Sequence, residues 1–207
     1  MVHNDNLHSE ASSMNYDNVS VGGDFNRIFD HKDYLAMINI PDEATCILRG
    51  HLILEEILNL WSSKITSTED LYAGIFVSFK TKLVVSRNLG MSEEVFSVLD
   101  KINDIRNKFS HCKGYQLEYS QIESLKNKVD IIIKSAKIKN CETFHIFVGG
   151  EDKHGNAKEI TYTWSSSDNR VKFVLIFVIL MLKITHWIQS EFISRGIEYT
   201  IISTEGS

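Results

Sequence analysis

The segment SEEVFSVLDKINDIRNKFSH, residues 92–111, has the clearest helical pattern in the chain and decides the fold class. Its apolar residues recur every three or four positions, which is the period of one helix face. Ser92 is a suitable N-cap, and the two glutamates after it suit the positive end of a helix dipole. We therefore predict a helix from Ser92 that stops before Gly114, with its apolar face made of Val95, Leu99, Ile102, Ile105 and Phe109.

Other helices are predicted on both sides of this segment by the same periodicity. A single proline, Pro41, and 11 glycines in 207 residues also favour long helices over an all-β chain. In the third predicted helix, we expect the apolar side to carry Phe76, Phe79, Leu83 and Val84. The predicted spans are 25–38, 42–61, 71–88, a helix from the capping box at 120–123, and a last helix from the cap at 165–168 to about Gly196.

A change of pattern interrupts the helices before the last one. Residues 143–148 and 159–164 are rich in β-branched and aromatic side chains, and a polar, glycine-bearing loop separates them. This arrangement is typical of a β-hairpin, which we place at 143–164. The sequence thus predicts a mainly α fold, a helical bundle with a β-hairpin inserted before its C-terminal helix.

Length and composition indicate one domain and exclude several classes of protein. The chain is 43% hydrophobic and 24% charged, so we expect one packed domain over 23–207 after a disordered lead-in at 1–22. The net charge of -5 excludes a generally basic nucleic-acid coat. The uninterrupted apolar run at 173–182 is too short for a membrane span and predicts a helix buried on most sides.

The three cysteines show no pairing pattern, and the first 20 residues contain no lysine or arginine. We therefore expect free, buried thiols, no signal peptide and a cytoplasmic location. The cysteines are Cys46, Cys112 and Cys141.

Most sequence motifs of catalysis are missing, including those of nucleotide hydrolysis, Rossmann cofactors, zincins and serine hydrolases. We expect no cofactor. Asp152 and His154 in the hairpin loop could ligate a metal ion, but no third ligand lies near them in sequence. A solvated loop is the better interpretation, and we predict no metal site.

One group of residues has the composition of a catalytic site. Arg106, Asn107 and His111 lie at the end of the best-defined helix, with His111 about 140° around it from Arg106. A guanidinium binds phosphate in a planar, bidentate way, and a histidine near neutrality can take and return a proton. Together they suit metal-independent RNA cleavage through a cyclic phosphate, with Asn107 as an assistant. The alternative is a surface arginine followed by a helix C-terminal cap.

The local charge around this group suits an anionic partner. Residues 101–140 contain nine basic and four acidic side chains, in a chain that is acidic as a whole. Lys108 and Lys113, which flank the group, are the predicted RNA contacts. The alternative is that these lysines form only the solvated faces of helices.

At these residues the sequence resembles the HEPN superfamily. The motif of that superfamily is an arginine, often followed by asparagine, and a histidine a few residues later, here RNKFSH at 106–111. LRGHLILEEIL at 48–58 and FKTKLVVSRNLG at 79–90 are similar to the mannitol-operon repressor-like branch. The three blocks follow in the same order over 45–112, about a third of the chain.

The resemblance implies a helical bundle that forms a homodimer and brings two copies of the motif to a shared cleft. It implies either an endoribonuclease, often a toxin or defence effector held by an antitoxin, or a non-catalytic regulator that acts through another protein. Arg106 and His111 would then be the catalytic pair, with Asn107 assisting and Glu55 adding a polar contact. The hairpin at 143–164 has no role in the core pattern.

Overall fold

The computed structural model describes residues 22–134, 138–151, 154 and 156–201. Over these residues the chain is mainly helical, with a two-stranded antiparallel hairpin before the last helix, as predicted. The elements are α1 (His31–Asn39), α2 (Glu43–Thr66), α3 (Phe79–Asn88), α4 (Glu93–His111), α5 (Tyr119–Ile131), β1 (Ile146–Glu151), β2 (Ala157–Tyr162) and α6 (Asn169–Ser194).

Helix α6 lies at the centre of the fold, where it contacts α1, α2 and α5. It passes so close to α2 that a β-carbon on Gly50 would lie 3.2 Å from the ring of Phe177. Further along, the Trp61 ring centroid lies 4.7 Å from that of Trp187. Helix α6 is long and apolar enough to cross a membrane, but most of it is buried inside the bundle. The prediction of a buried helix is confirmed.

Helix α4 is the best-predicted element. The Ser92 hydroxyl accepts a hydrogen bond from the Val95 amide at 3.3 Å, as expected of an N-cap. The predicted apolar face is buried except at Phe109, which is half-buried. At the other end the Cys112 amide bonds the Lys108 carbonyl, and the helix ends at His111, before Gly114.

The prediction of one helix over 71–88 is wrong in its first half. The Ser78 hydroxyl accepts from the Thr81 amide, so it caps a helix that begins only at Phe79. Gly74, which precedes this cap, has a φ of +76°, a left-handed conformation that is incompatible with a right-handed α-helix. Phe76 is consequently 96% exposed rather than part of the core, and Val84 on α3 is exposed as well.

Two other helix boundaries differ from the prediction because other side chains cap the backbone. The Asp30 carboxylate accepts from the Lys32 amide, so α1 begins at His31, and Phe25 lies in a separate 3-10 turn. The capping box of α5 is formed by Glu118 and Gln121, two residues before the predicted one.

The hairpin is present, with both strands displaced from the predicted ends. Ile146 pairs with Tyr162, and the ladder continues to Glu151 opposite Ala157, through residues that had been placed in the loop. Thr143, the predicted first residue of the hairpin, lies instead at the end of a 3-10 turn over 141–143. Ile146, Val148 and Tyr162 pack on the core, which fixes the hairpin beside α6.

The three thiols are free, as predicted, but they are not all buried. Cys46 and Cys141 lie in the core, and burial raises the pKa of Cys46 to about 12. Cys112 is exposed because it follows the last residue of α4. Nearly all of the predicted lead-in, 1–22, lies outside the described residues, and so does Asp152 of the hairpin loop.

Candidate functional site

Arg106 lies on the face of α4 that contacts α2, four residues after the buried Ile102. Its side chain is half-buried, and its Nη1 donates a hydrogen bond to Oδ1 of Asn107 at 3.2 Å. Its Nε is fully buried and has no hydrogen-bond partner among the described residues. The predicted assistant, Asn107, therefore contacts the guanidinium directly.

His111 lies in the last turn of α4 and is exposed. Five residues of helix turn it about 140° away from Arg106, toward the solvent side. Within the described part of the chain, no hydrogen bond or ion pair engages its imidazole, and no contact joins it to Arg106. The two predicted catalytic side chains are thus on one helix but do not meet within one subunit.

A second histidine, His51, lies on α2 within the electrostatic influence of Arg106 and was missed by the sequence analysis. It is buried, with its Nε2 3.4 Å from Oδ1 of Asn103 and its ring 4.1 Å from that of Phe79. Burial lowers the pKa of His51, the hydrogen bond with Asn103 opposes this shift, and the positive charge of Arg106 adds to it. The available signal was its place on the apolar stripe of α2, four residues after Ile47.

Next to His51 lies a charged pair that joins α2 to α3. The Lys82 Nζ is 2.7 Å from Oε1 of Glu55 and 3.1 Å from Oδ1 of Asn59, and it lies over the Tyr72 ring. Glu55 therefore contacts Lys82 rather than the Arg106–His111 motif. These contacts make one polar cluster between α2, α3 and α4, here called the Arg106 seam and defined by His51, Glu55, Lys82, Asn103 and Arg106.

The predicted basic surface is smaller than the residue count suggested. Lys108 and Lys113 are exposed, and the Lys108 Nζ lies 5.7 Å from the centre of the Tyr115 ring. Lys126, by contrast, is buried and forms an ion pair with Glu142 at 2.8 Å. Because its charge is neutralised there, it cannot contribute to a surface that attracts RNA.

Within the described ranges, no group of three or more histidine, cysteine, aspartate or glutamate side chains is arranged to hold a metal ion. Comparisons of the chain with protein-family models, with curated proteins and with solved structures find no match in any of the three. The HEPN resemblance therefore stays a prediction that rests on the three sequence blocks.

Proposed function

We propose that the protein is a metal-independent endoribonuclease of the HEPN type that acts in the cytoplasm as a homodimer. In the proposed reaction, Arg106 binds the scissile phosphate and His111 takes the proton of the RNA 2′-OH. The 2′-oxygen attacks phosphorus, the bond from phosphorus to the 5′-oxygen breaks as His111 returns the proton to that oxygen, and a 2′,3′-cyclic phosphate remains. Asn107 supports this assignment because its contact with the guanidinium limits the orientations that Arg106 can adopt.

The observation that carries the proposal is the placement of a half-buried guanidinium and an exposed, unengaged imidazole on one helix. An imidazole without a partner among the residues that the structure describes is available for another molecule. Because the two side chains diverge by about 140°, one subunit cannot close both around one phosphate. The proposal therefore requires a second subunit, which would supply the missing half of each site.

Exposed lysines near the motif suit the same substrate. Lys108 lies between the two catalytic residues and Lys113 follows them, and both side chains reach solvent. Lysine contacts to phosphates strengthen binding without reading sequence, so we expect binding that weakens as salt is raised.

The test is cleavage of single-stranded RNA by the purified chain in EDTA, with analysis of the product ends. We expect cyclic-phosphate ends, and a loss of about 10²- to 10⁴-fold in rate for His111→Ala. His31→Ala is the matched control, since His31 is an exposed histidine away from the motif. Arg106→Lys should retain RNA binding but cleave slowly, because lysine lacks the bidentate geometry.

Equal cleavage by the wild type and His111→Ala would reject the enzymatic proposal. Folding and mass of each variant are to be measured alongside, because Arg106 also belongs to a packed cluster. If the protein is a toxin, its expression should arrest growth, and an antitoxin encoded next to it should relieve that arrest.

The alternative is a non-catalytic interaction module or regulator, and the hairpin favours it. Among the described residues, β1 and β2 pair only with each other, and Phe147 on the outer face is 63% exposed. An exposed strand edge can pair with another protein. The test is co-purification of a partner that wild type retains and Phe147→Glu loses, and recovery of the homodimer alone would reject it.

A further inference from the structure

Large apolar side chains are exposed beside the Arg106 seam. Leu52 on α2 is 63% exposed, and Leu48, one turn earlier, is exposed too. Ile75 and Phe76 are also exposed, in the segment that leads to Phe79 and its contact with His51. Apolar side chains grouped at the surface mark an interaction site. A groove of about 960 Å³ runs along this face of α2.

The charges on α2 suggest what covers this face. Arg49 and Glu56 lie seven residues apart, which is close to two helical turns, so they share one edge of α2. Leu52 lies about midway between them. The edge therefore carries a positive charge before Leu52 and a negative charge at a similar distance after it.

Such an edge is complementary to itself when it is reversed. A two-fold axis perpendicular to α2, at the level of Leu52, places a second α2 antiparallel to the first. This edge of one helix then lies next to the same edge of the other. Arg49 then faces the partner subunit's Glu56, and the reciprocal pair forms by symmetry. Arg49 already forms an ion pair with Asp33 at 2.6 Å, and Glu56 lies 3.8 Å from Arg27, so the pairs across the axis would add to these contacts; unlike Lys126, both side chains remain more than a third exposed and can reach a partner.

We propose that two copies of this chain associate through the α2 face defined by Leu48, Arg49, Leu52 and Glu56, antiparallel and with Leu52 packed on the partner's Leu52. This inference takes from the proposed function only the requirement for a second subunit. It adds the surface through which the subunits associate and the register of the two α2 helices. Glu55 of the Arg106 seam lines the same groove as these four residues, so the interface lies beside the seam.

The first test is the mass of the intact chain in solution, by sedimentation or light scattering, without any RNA. We expect twice the 23.7 kDa of the chain for the wild type, and 23.7 kDa for Leu52→Glu. Ile193→Glu is the matched control, because Ile193 is an apolar residue in the last turn of α6 that is 54% exposed, against 63% for Leu52, and its replacement should leave the dimer unchanged.

The second test uses charge reversal to establish the register. In a dimer of Arg49→Glu, glutamate meets glutamate at both contacts across the axis. In a dimer of Glu56→Arg, arginine meets arginine at both contacts. We expect each variant to raise the dimer dissociation constant at least about tenfold. A mixture of the two variants should form heterodimers with nearly wild-type affinity, since both pairs then have opposite charges.

A monomeric wild type, a dimer that Leu52→Glu leaves intact, or a mixture that fails to associate would each overturn the inference. Circular dichroism of each variant separates a lost interface from a lost fold. The proposed activity is judged separately: a dimer with this register that cleaves no RNA would reject the endoribonuclease and leave the interface in place.

Discussion

Replacing Lys183 by methionine tests how the end of α5 is held. Lys183 is only 2% exposed, and its Nζ donates to the carbonyls of Val129, Asp130 and Ile132 at 2.7, 3.0 and 3.0 Å. The last carbonyls of a helix have no partner within it, so the ammonium satisfies groups that would otherwise be buried and unpaired. Methionine fills similar space without a donor.

The magnitude follows from two opposing effects. Each hydrogen bond from a charged donor contributes about 1.5–3 kcal/mol, so three lost bonds would cost about 5–9 kcal/mol. The ammonium is also almost entirely buried, so it has lost most of its hydration in the folded state, and this burial lowers the pKa of Lys183. Removing that desolvation penalty returns several kcal/mol. We expect Lys183→Met to lower the free energy of unfolding by about 2–4 kcal/mol.

The assay is urea denaturation followed by circular dichroism, with Lys139→Met as the control, since Lys139 is exposed. The control should stay within about 0.5 kcal/mol of the wild type. If Lys183→Met is as stable as the wild type, the desolvation penalty equals the three hydrogen bonds and the capping argument is wrong. The Cys141 amide donates a hydrogen bond to the Asp130 carboxylate at 2.9 Å. Faster hydrogen exchange at the Cys141 amide should therefore accompany the loss of stability in Lys183→Met.

Three further predictions concern individual side chains. Because folding lowers the pKa of His51 below its ordinary 6.5, the unfolded chain takes up the proton first as pH falls, and stability is lost below about pH 6.5; His51→Gln should reduce the difference in urea midpoint between pH 7 and pH 5. Gly50→Ala should cost about 1–3 kcal/mol in the same measurement, since its methyl group would press on Phe177 at 3.2 Å, and an unchanged midpoint would show that α2 and α6 can separate. Phe76→Ser should leave the monomer's stability within about 0.5 kcal/mol, whereas Leu83→Ala in the core should cost about 2–5 kcal/mol, and equal losses would place Phe76 in the core after all.

Local signals in the sequence account for the elements that were predicted well. Helix α4 has an N-cap, acidic residues in its first turn and a regular apolar period, and all three agree. The start of α3 was misplaced because apolar residues at 75–79 continue a helical period, while Gly74 and the cap at Ser78 break it. Periodicity alone does not distinguish an apolar face that meets the core from one that meets solvent.

The residues of the candidate site stay a prediction from the sequence, and their surroundings came only from the structure. A helical wheel placed His111 about 140° from Arg106, and the structure agrees, with Arg106 toward α2 and His111 toward solvent. Whether a motif arginine lies in a seam depends on which helix packs against it, and spacing along α4 carries no such information. His51 was missed for the same reason, since it reads as one polar residue on an apolar stripe until α4 brings Asn103 to it.

The exposed side chains beside the seam connect the misplaced helix to the proposed dimer. A stable monomer gains nothing from leaving Leu52 and Phe76 in water, since each buried side chain of this size contributes about 1.5–3 kcal/mol. The divergence of Arg106 and His111 likewise leaves each of them without its counterpart in one subunit. A second copy on the α2 face would cover Leu48 and Leu52 and lie beside Glu55 of the Arg106 seam, next to the residue that needs a counterpart. We expect RNA cleavage to be lost in Leu52→Glu and weakened in Arg49→Glu and Glu56→Arg alone, but to return when these two charge-reversal variants are mixed. That result would connect the dimer to the proposed activity.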